Sequence, residues 1–316
     1  MSPATALDLA SHTRPRQEND VRPTIGIDLG GTKIEGIVLS PSHEVVERQR
    51  IPTEQEGGYE HILGRIAGLI EGLRRHADGT EHIGIGTPGS LSARDGTLKN
   101  SNTLCLNGRP IRADLEKRLG HALAIENDAN CFALAETLLG AARDGDVVFG
   151  VILGTGVGGG IVLHRRIWAG PQHIAGEWGH HSIDPEGPQC YCGQRGCIEK
   201  LLAGPALEES YRSAGGDPIS ASEIATRASA GESRASATLD TYLQRFGRAM
   251  ANLVSILDPS VVVLGGGLSN LEVLYSRGRD EVAARIFNDE LRTPIRRNEL
   301  GDSAGVIGAA LLARPI

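Results

Sequence analysis

Residues 25–39 read IGIDLGGTKIEGIVL. An apolar run, a glycine turn and a second apolar run predict two strands joined tightly end to end. The plan returns at residues 150–164, GVILGTGVGGGIVLH. Such a repeat predicts an α/β protein of two related domains facing each other across a cleft, each opening with a hairpin whose turn points into it. After the first hairpin the pattern predicts strands near 45–50, 83–86 and 122–126, with helices over 59–76, 111–119 and 129–139. Residues 89–110 are polar and turn-rich, a long loop of the kind that usually has a function. After the second hairpin, helices are expected over 206–214, 221–230, 235–257 and 272–287, a strand over 261–264, another near 294–297, and a last helix over 304–313.

The glycine runs bring backbone close to a ligand. Residues 154–159, GTGVGG, satisfy a dinucleotide-binding pattern, but a strand-like GIVLH follows where that site needs a helix. No phosphate-loop lysine motif is present either. What remains is a pair of hairpin turns whose amides can cradle phosphates, with Thr32 and Thr155 as hydroxyl donors and Lys33 as a positive charge. Gly265, Gly266 and Gly267 follow the strand-like VVVL and leave room for an adenosine at a strand's carboxyl end.

Asn127 and Asp128 fall where a strand ends and a helix begins. Asp128 is either a helix cap or a general base that takes a proton from a substrate hydroxyl. Asn127 can donate and accept, which suits a sugar hydroxyl. Asp28, at the end of the first strand, is placed to hold Mg²⁺ through water. Residues 176–199 read GEWGHHSIDPEGPQCYCGQRGCIE. His180, Cys190, Cys192 and Cys197 have a spacing that can fill the four positions zinc prefers. Glu177 and Glu199 bracket them and suit a polyhydroxylated ligand.

The chain has 316 residues, enough for roughly two domains. A net charge of −7 argues against nucleic acid and anionic membranes as partners, and 3% aromatics leaves little for base stacking. Five cysteines fit a disulfide framework poorly, so a reducing, cytoplasmic compartment is expected. No apolar run approaches the ~18 residues of a membrane span. Residues 1–22 are expected to be a disordered tail, 23–142 the first domain, and 143–303 a second domain carrying the metal loop 180–197.

IDLGGTK, GTPG, ENDAN, LGTGVGGG, GEWGH, CYCGQRGCIE and LDPSVVVLGGGLS resemble, in this order, the ROK family of repressors and sugar kinases. The resemblance implies an actin-like fold of two ribonuclease-H-like domains, with helix 304–316 packing back on the first. It implies Asp128 as catalytic base and a sugar pocket of Gly89, Asn102, Asn127, Glu177, His180 and Glu199. Gly30, Gly31, Thr32, Thr155, Gly156 and Gly266 would face MgATP, His180 would touch both zinc and sugar, and His181 is the weaker rival ligand. The implied reaction moves the γ-phosphate of ATP to a hexose, at carbon 6, by an enzyme that can form a homodimer. Two segments, KNSNTLCLNGRP and TPIRRNELGDSAGVIGAA, look most like fructokinases with mannokinase activity, so fructose is expected first, N-acetylglucosamine next and glucose third. A polyphosphate-using glucokinase is one alternative. A sugar-responsive repressor is another, but it needs a DNA-binding domain larger than the 23 residues before Thr24.

Overall fold

The computed structural model describes residues 22–314. The tail expected over residues 1–22 lies outside these, save for Arg22. The first hairpin is β1 (Thr24–Leu29) and β2 (Lys33–Leu39), extended by β3 (Val45–Pro52). Next come α1 (Gly58–Arg74), β4 (Ile83–Thr87), a two-residue hairpin of β5 (Ser90–Leu91) and β6 (Leu98–Lys99), α2 (Ile111–Leu119), β7 (Ala124–Asn127) and α3 (Asp128–Leu138). The sheet order is β3-β2-β1-β4-β7, with β1, β4 and β7 parallel. β1 is apolar almost throughout because α1 packs against it and so does the last helix. On α1, Ile62, Leu63, Ile66, Leu69, Ile70 and Leu73 form the buried stripe that their spacing predicts.

The second half repeats this plan. β8 (Val147–Leu153), β9 (Val157–Leu163) and β10 (Arg166–Ile167) are followed by α4 (Ile198–Leu202), α5 (Gly204–Ser213), α6 (Ala221–Ser229) and α7 (Ser233–Leu257). Then come β11 (Val261–Gly265), α8 (Arg277–Ala283), β12 (Ile295–Arg297) and α9 (Ala304–Leu312). The order β10-β9-β8-β11-β12 has the same antiparallel hairpins and parallel additions as the first sheet. The doubled ribonuclease-H-like plan is therefore present.

Two expectations fail locally. Gly158 and Gly159 are not a turn but, with Gly160, part of β9. They are glycines because α3 and a neighbouring loop lie directly on the strand: a Cβ at Gly160 would stand 2.5 Å from the Ala129 carbonyl oxygen. The helix expected over 272–287 is a short 3₁₀ turn at Glu272–Leu274 and then α8. Ser276, at φ −109° and ψ −94°, breaks the helical path between them.

A layer of two helices joins the halves. α9 packs on β1 and β4, α3 packs on β8 and β9, and the helices pack on each other. Backbone meets backbone at each step. A Cβ at Gly84 would lie 1.9 Å from the Ala309 oxygen, and one at Gly308 would lie 1.8 Å from the Cys131 oxygen. Glu136, on α3, is wholly buried. Its carboxylate accepts from the amides of Ala141 (2.8 Å), Leu300 (2.9 Å) and Glu299 (3.1 Å). It thereby ties together the two chain segments that run beside this layer.

Candidate active site

β7 lies parallel to β4, so its carboxyl end opens at the edge where α3 starts. Asn127 is the helix cap: the Ala129 amide donates to its Oδ1 at 2.9 Å. Its Nδ2 donates to the Gly89 carbonyl at 3.2 Å. With the cap supplied by Asn127, Asp128 is the first helical residue. Its Oδ1 accepts from the Ala129 amide at 2.8 Å. Desolvation first, then the charge of Asp28, pushes the Asp128 carboxyl up from 3.8 to about 7; Glu177 adds to the rise and the Ala129 amide opposes it. Asp28 is pushed up to about 6, by burial first and then by Glu35, with Lys33 opposing. Two carboxylates that each resist ionisation thus face one region, a donor set that suits a divalent cation.

Asp128 lines a cavity of about 210 Å³. That is below the ~300 Å³ of a drug-sized ligand site, so it has room for a small polar molecule but not for a nucleotide as well. Every residue expected at the sugar lines it: Gly89, Asn102, Asn127, Asp128, Glu177, His180 and Glu199. Gly89 has φ +90°, and a Cβ there would fall 2.3 Å from the Lys99 oxygen, so this turn requires glycine. Burial raises the Glu177 carboxyl, while His180 and Lys99 pull it down. Glu199 does a second job: the Val157 amide donates to its Oε2 at 3.1 Å, pinning the β8–β9 turn to α4.

Thr155 and Gly156, on the β8–β9 turn, also line the cavity. The first-sheet turn does not. Gly30, Gly31 and Thr32 lie beyond its lining, with the Gly30 oxygen accepting from Thr53 Oγ1 at 2.7 Å and the Thr32 oxygen from the Thr53 amide at 2.9 Å. Lys33 is the first residue of β2; its ammonium is half exposed and lies 3.9 Å from Glu35, which Arg50 approaches at 2.8 Å. Gly265 departs from expectation. It lies inside β11 under Phe132, whose ring would be 2.5 Å from an added Cβ, so it has no open face for a ligand. Gly266 has φ +78° and closes on the Leu153 oxygen at the end of β8.

His180 ends a short turn anchored by Trp178, whose buried ring packs edge-on against Phe149. The ligand atoms of His180, Cys190, Cys192 and Cys197 lie within 4.8 Å of one another; His181 is not among them. Cys192 and Cys197 sulfurs are 3.5 Å apart, and Cys190 Sγ is 3.6 Å from His180 Nδ1. Four zinc bonds of about 2.3 Å in a tetrahedron ask for about 3.8 Å between sulfurs, so the set fits that ion.

Two polar side chains of the lining, Asn100 and Tyr191, were not among the expected site residues. Tyr191 sits between two cysteines read only as ligands. Its hydroxyl lies 2.9 Å from His180 Nε2, and the rings meet edge to face with centroids 5.0 Å apart.

A sequence model of the ROK family matches residues 24–316. The chain is 38% identical to an N-acetyl-D-glucosamine kinase of Vibrio atlanticus (strain LGP32), over 91% of this chain and 98% of that protein. Among solved structures it resembles a ROK hexokinase from Thermus thermophilus at 38% identity and TM-score 0.82, covering 92% and 97% of the two chains. It also resembles a ROK family glucokinase from Streptomyces griseus, solved with glucose and AMPPNP, at 29% identity and TM-score 0.78, covering 92% and 99%. No helix among the described residues is long and apolar enough to cross a membrane. With its doubled actin-like fold and a match across nearly its whole length, the chain belongs to the ROK family.

Proposed function

We propose that this protein is an ATP-dependent kinase of six-carbon sugars, with N-acetylglucosamine first among its substrates and glucose second. The observation that carries the reading is Asp128: a carboxyl raised to about 7, at the edge of a sugar-sized cavity, beside a glycine turn with free amides. The names of the relatives favour N-acetylglucosamine and glucose and give no support to the fructose expectation, so fructose and mannose follow.

In this reading Asn102, Asn127, Glu177, His180 and Glu199 hold the sugar hydroxyls. Asp128 accepts the proton of the carbon-6 hydroxyl as that oxygen forms its bond to the γ-phosphorus and the bond to ADP breaks. The amides of the β8–β9 turn, at Thr155 and Gly156, steady the phosphates on the far side. Asp28 is the residue to hold magnesium through water, and that ion supplies charge neutralisation at the phosphates. Drawing the two halves together around the sugar excludes water that would otherwise hydrolyse ATP. His180, Cys190, Cys192 and Cys197 would hold a zinc ion. Four protein ligands leave it no open position, so its service is to fix His180 and the loop that presents Tyr191.

A coupled ADP-release assay against N-acetylglucosamine, glucose, mannose, fructose, N-acetylmannosamine and allose tests this. The expected result is sugar-dependent ADP release, highest in kcat/KM for N-acetylglucosamine. No sugar-dependent release with any of the six would overturn the kinase reading. Turnover with polyphosphate alone would overturn ATP as the donor.

A further inference from the structure

We propose that Tyr191 is a specificity-determining residue, a sugar-contacting ring that reads the carbon-1 and carbon-2 end of the hexose. The inference rests on the kinase reading above, which sets the terminal hydroxyl at Asp128. Asp128 stands at the end of β7, while His180 and Tyr191 stand on the loop between β10 and α4, a different wall of the same cavity. A hexose with its carbon-6 hydroxyl at Asp128 therefore presents its other end to the loop. Glucose, mannose, fructose and N-acetylglucosamine differ from one another only at carbons 1 and 2.

Nδ1 of His180 faces Cys190, which leaves Nε2 as the polar edge turned toward the cavity. Tyr191 holds that edge with its hydroxyl at 2.9 Å. The phenol thus stands where a sugar hydroxyl would stand, and an arriving sugar takes its place or packs against it. Cys190 and Cys192, both of the metal-ligating set, flank Tyr191 in the chain, and its side chain is 70% exposed. Little packing holds the ring, so it can move over a ligand and be buried by it. A phenol ring offers an apolar face to sugar C–H groups, and most of all to the methyl group of a 2-acetamido substituent.

The test compares the parent with Tyr191→Ala and Tyr191→Phe in steady-state kinetics on N-acetylglucosamine and glucose, with zinc content measured for each. Tyr191→Ala is expected to raise KM for N-acetylglucosamine about 10-fold, a loss of about 1.4 kcal/mol. It should raise KM for glucose less and leave kcat within a few-fold, because Asp128 is untouched. Tyr191→Phe keeps the ring and should restore most of the lost affinity. Equal KM values in Ala and parent overturn the proposal. So does a Phe variant as impaired as Ala, which would make the hydroxyl a mere support for His180. If the parent phosphorylates none of the sugars, the kinase reading falls first. Calorimetric binding of N-acetylglucosamine to the same three proteins then decides whether the ring contacts it, by the same comparison.

Discussion

Replacing Asp128 by Asn should destroy turnover and, at the same time, stabilise the empty protein in a pH-dependent way. The folded carboxyl is pushed from 3.8 to about 7, mainly by desolvation and then by Asp28. The folded state therefore binds this proton more tightly than the unfolded chain does. Stability is lost as pH rises from about 4 to about 7, and above that the whole cost of holding the charge is present. At about 1.4 kcal/mol per pH unit, the full shift corresponds to about 4 kcal/mol. Solvent still reaches this half-buried side chain, so about 2–4 kcal/mol is the expected range. Asn keeps the shape and the oxygen that accepts from Ala129 but never ionises. At roughly 2 °C per kcal/mol for a chain this long, Asp128→Asn should melt about 4–8 °C above the parent near pH 8. The gap should shrink as pH falls through this range and close only at about pH 3, where Asp128 is protonated in the unfolded chain as well. Thermal unfolding followed by circular dichroism, without sugar, nucleotide or magnesium, measures this. In the same variant kcat should fall about 10²–10⁴-fold. A melting gap that does not change with pH, or an Asn variant less stable than the parent at pH 8, would refute the electrostatic account of Asp128. Retained turnover would refute its role as base.

Metal analysis should find about one zinc per chain, the number one four-ligand site allows, and Cys192→Ser should lose it along with thermal stability. A variant with full metal and an unchanged melting temperature would remove zinc from the account. Gly308→Ala should destabilise by about 3 kcal/mol or more, since the new methyl would stand 1.8 Å from the Cys131 carbonyl and no side chain can give way. Urea unfolding within about 1 kcal/mol of the parent would show that α3 and α9 can part. Glu136→Ala strands three amides, that of Ala141 buried and those of Glu299 and Leu300 partly so, and should cost about 3 kcal/mol, again read by urea unfolding; a neutral outcome would mean that water replaces the carboxylate.

The paired hairpins were legible because strand–glycine–strand is a local pattern, and both sheets grew from them with the same strand order. All seven residues expected at the sugar line the cavity; Asn127, Asp128, Glu177 and Glu199 were legible as an amide and carboxylates at a strand end and beside a metal motif, whereas Gly89, Asn102 and His180 came only through the family resemblance. What the sequence hid depended on long-range contact. Gly158 and Gly159 looked like a turn because nothing local says that α3 and the loop at Gly176 will lie on them. Gly265 looked like ligand space because Phe132, more than a hundred residues earlier, fills it only in three dimensions. Tyr191 was invisible for another reason: a single residue between two cysteines gives no periodic signal.

The glycine contacts between β4 and α9, between α9 and α3, and between α3 and β9 have a mechanical meaning. Surfaces joined backbone to backbone cannot be pressed closer and have no long side chains to stretch as they separate. They can roll. Any movement of one half on the other then turns about the α3–α9 pair as about an axle. Asp128 sits at the tip of that axle, where the arc of travel is shortest. In the proposed reaction, an opening of this kind would exchange the sugar while Asp128 moved least.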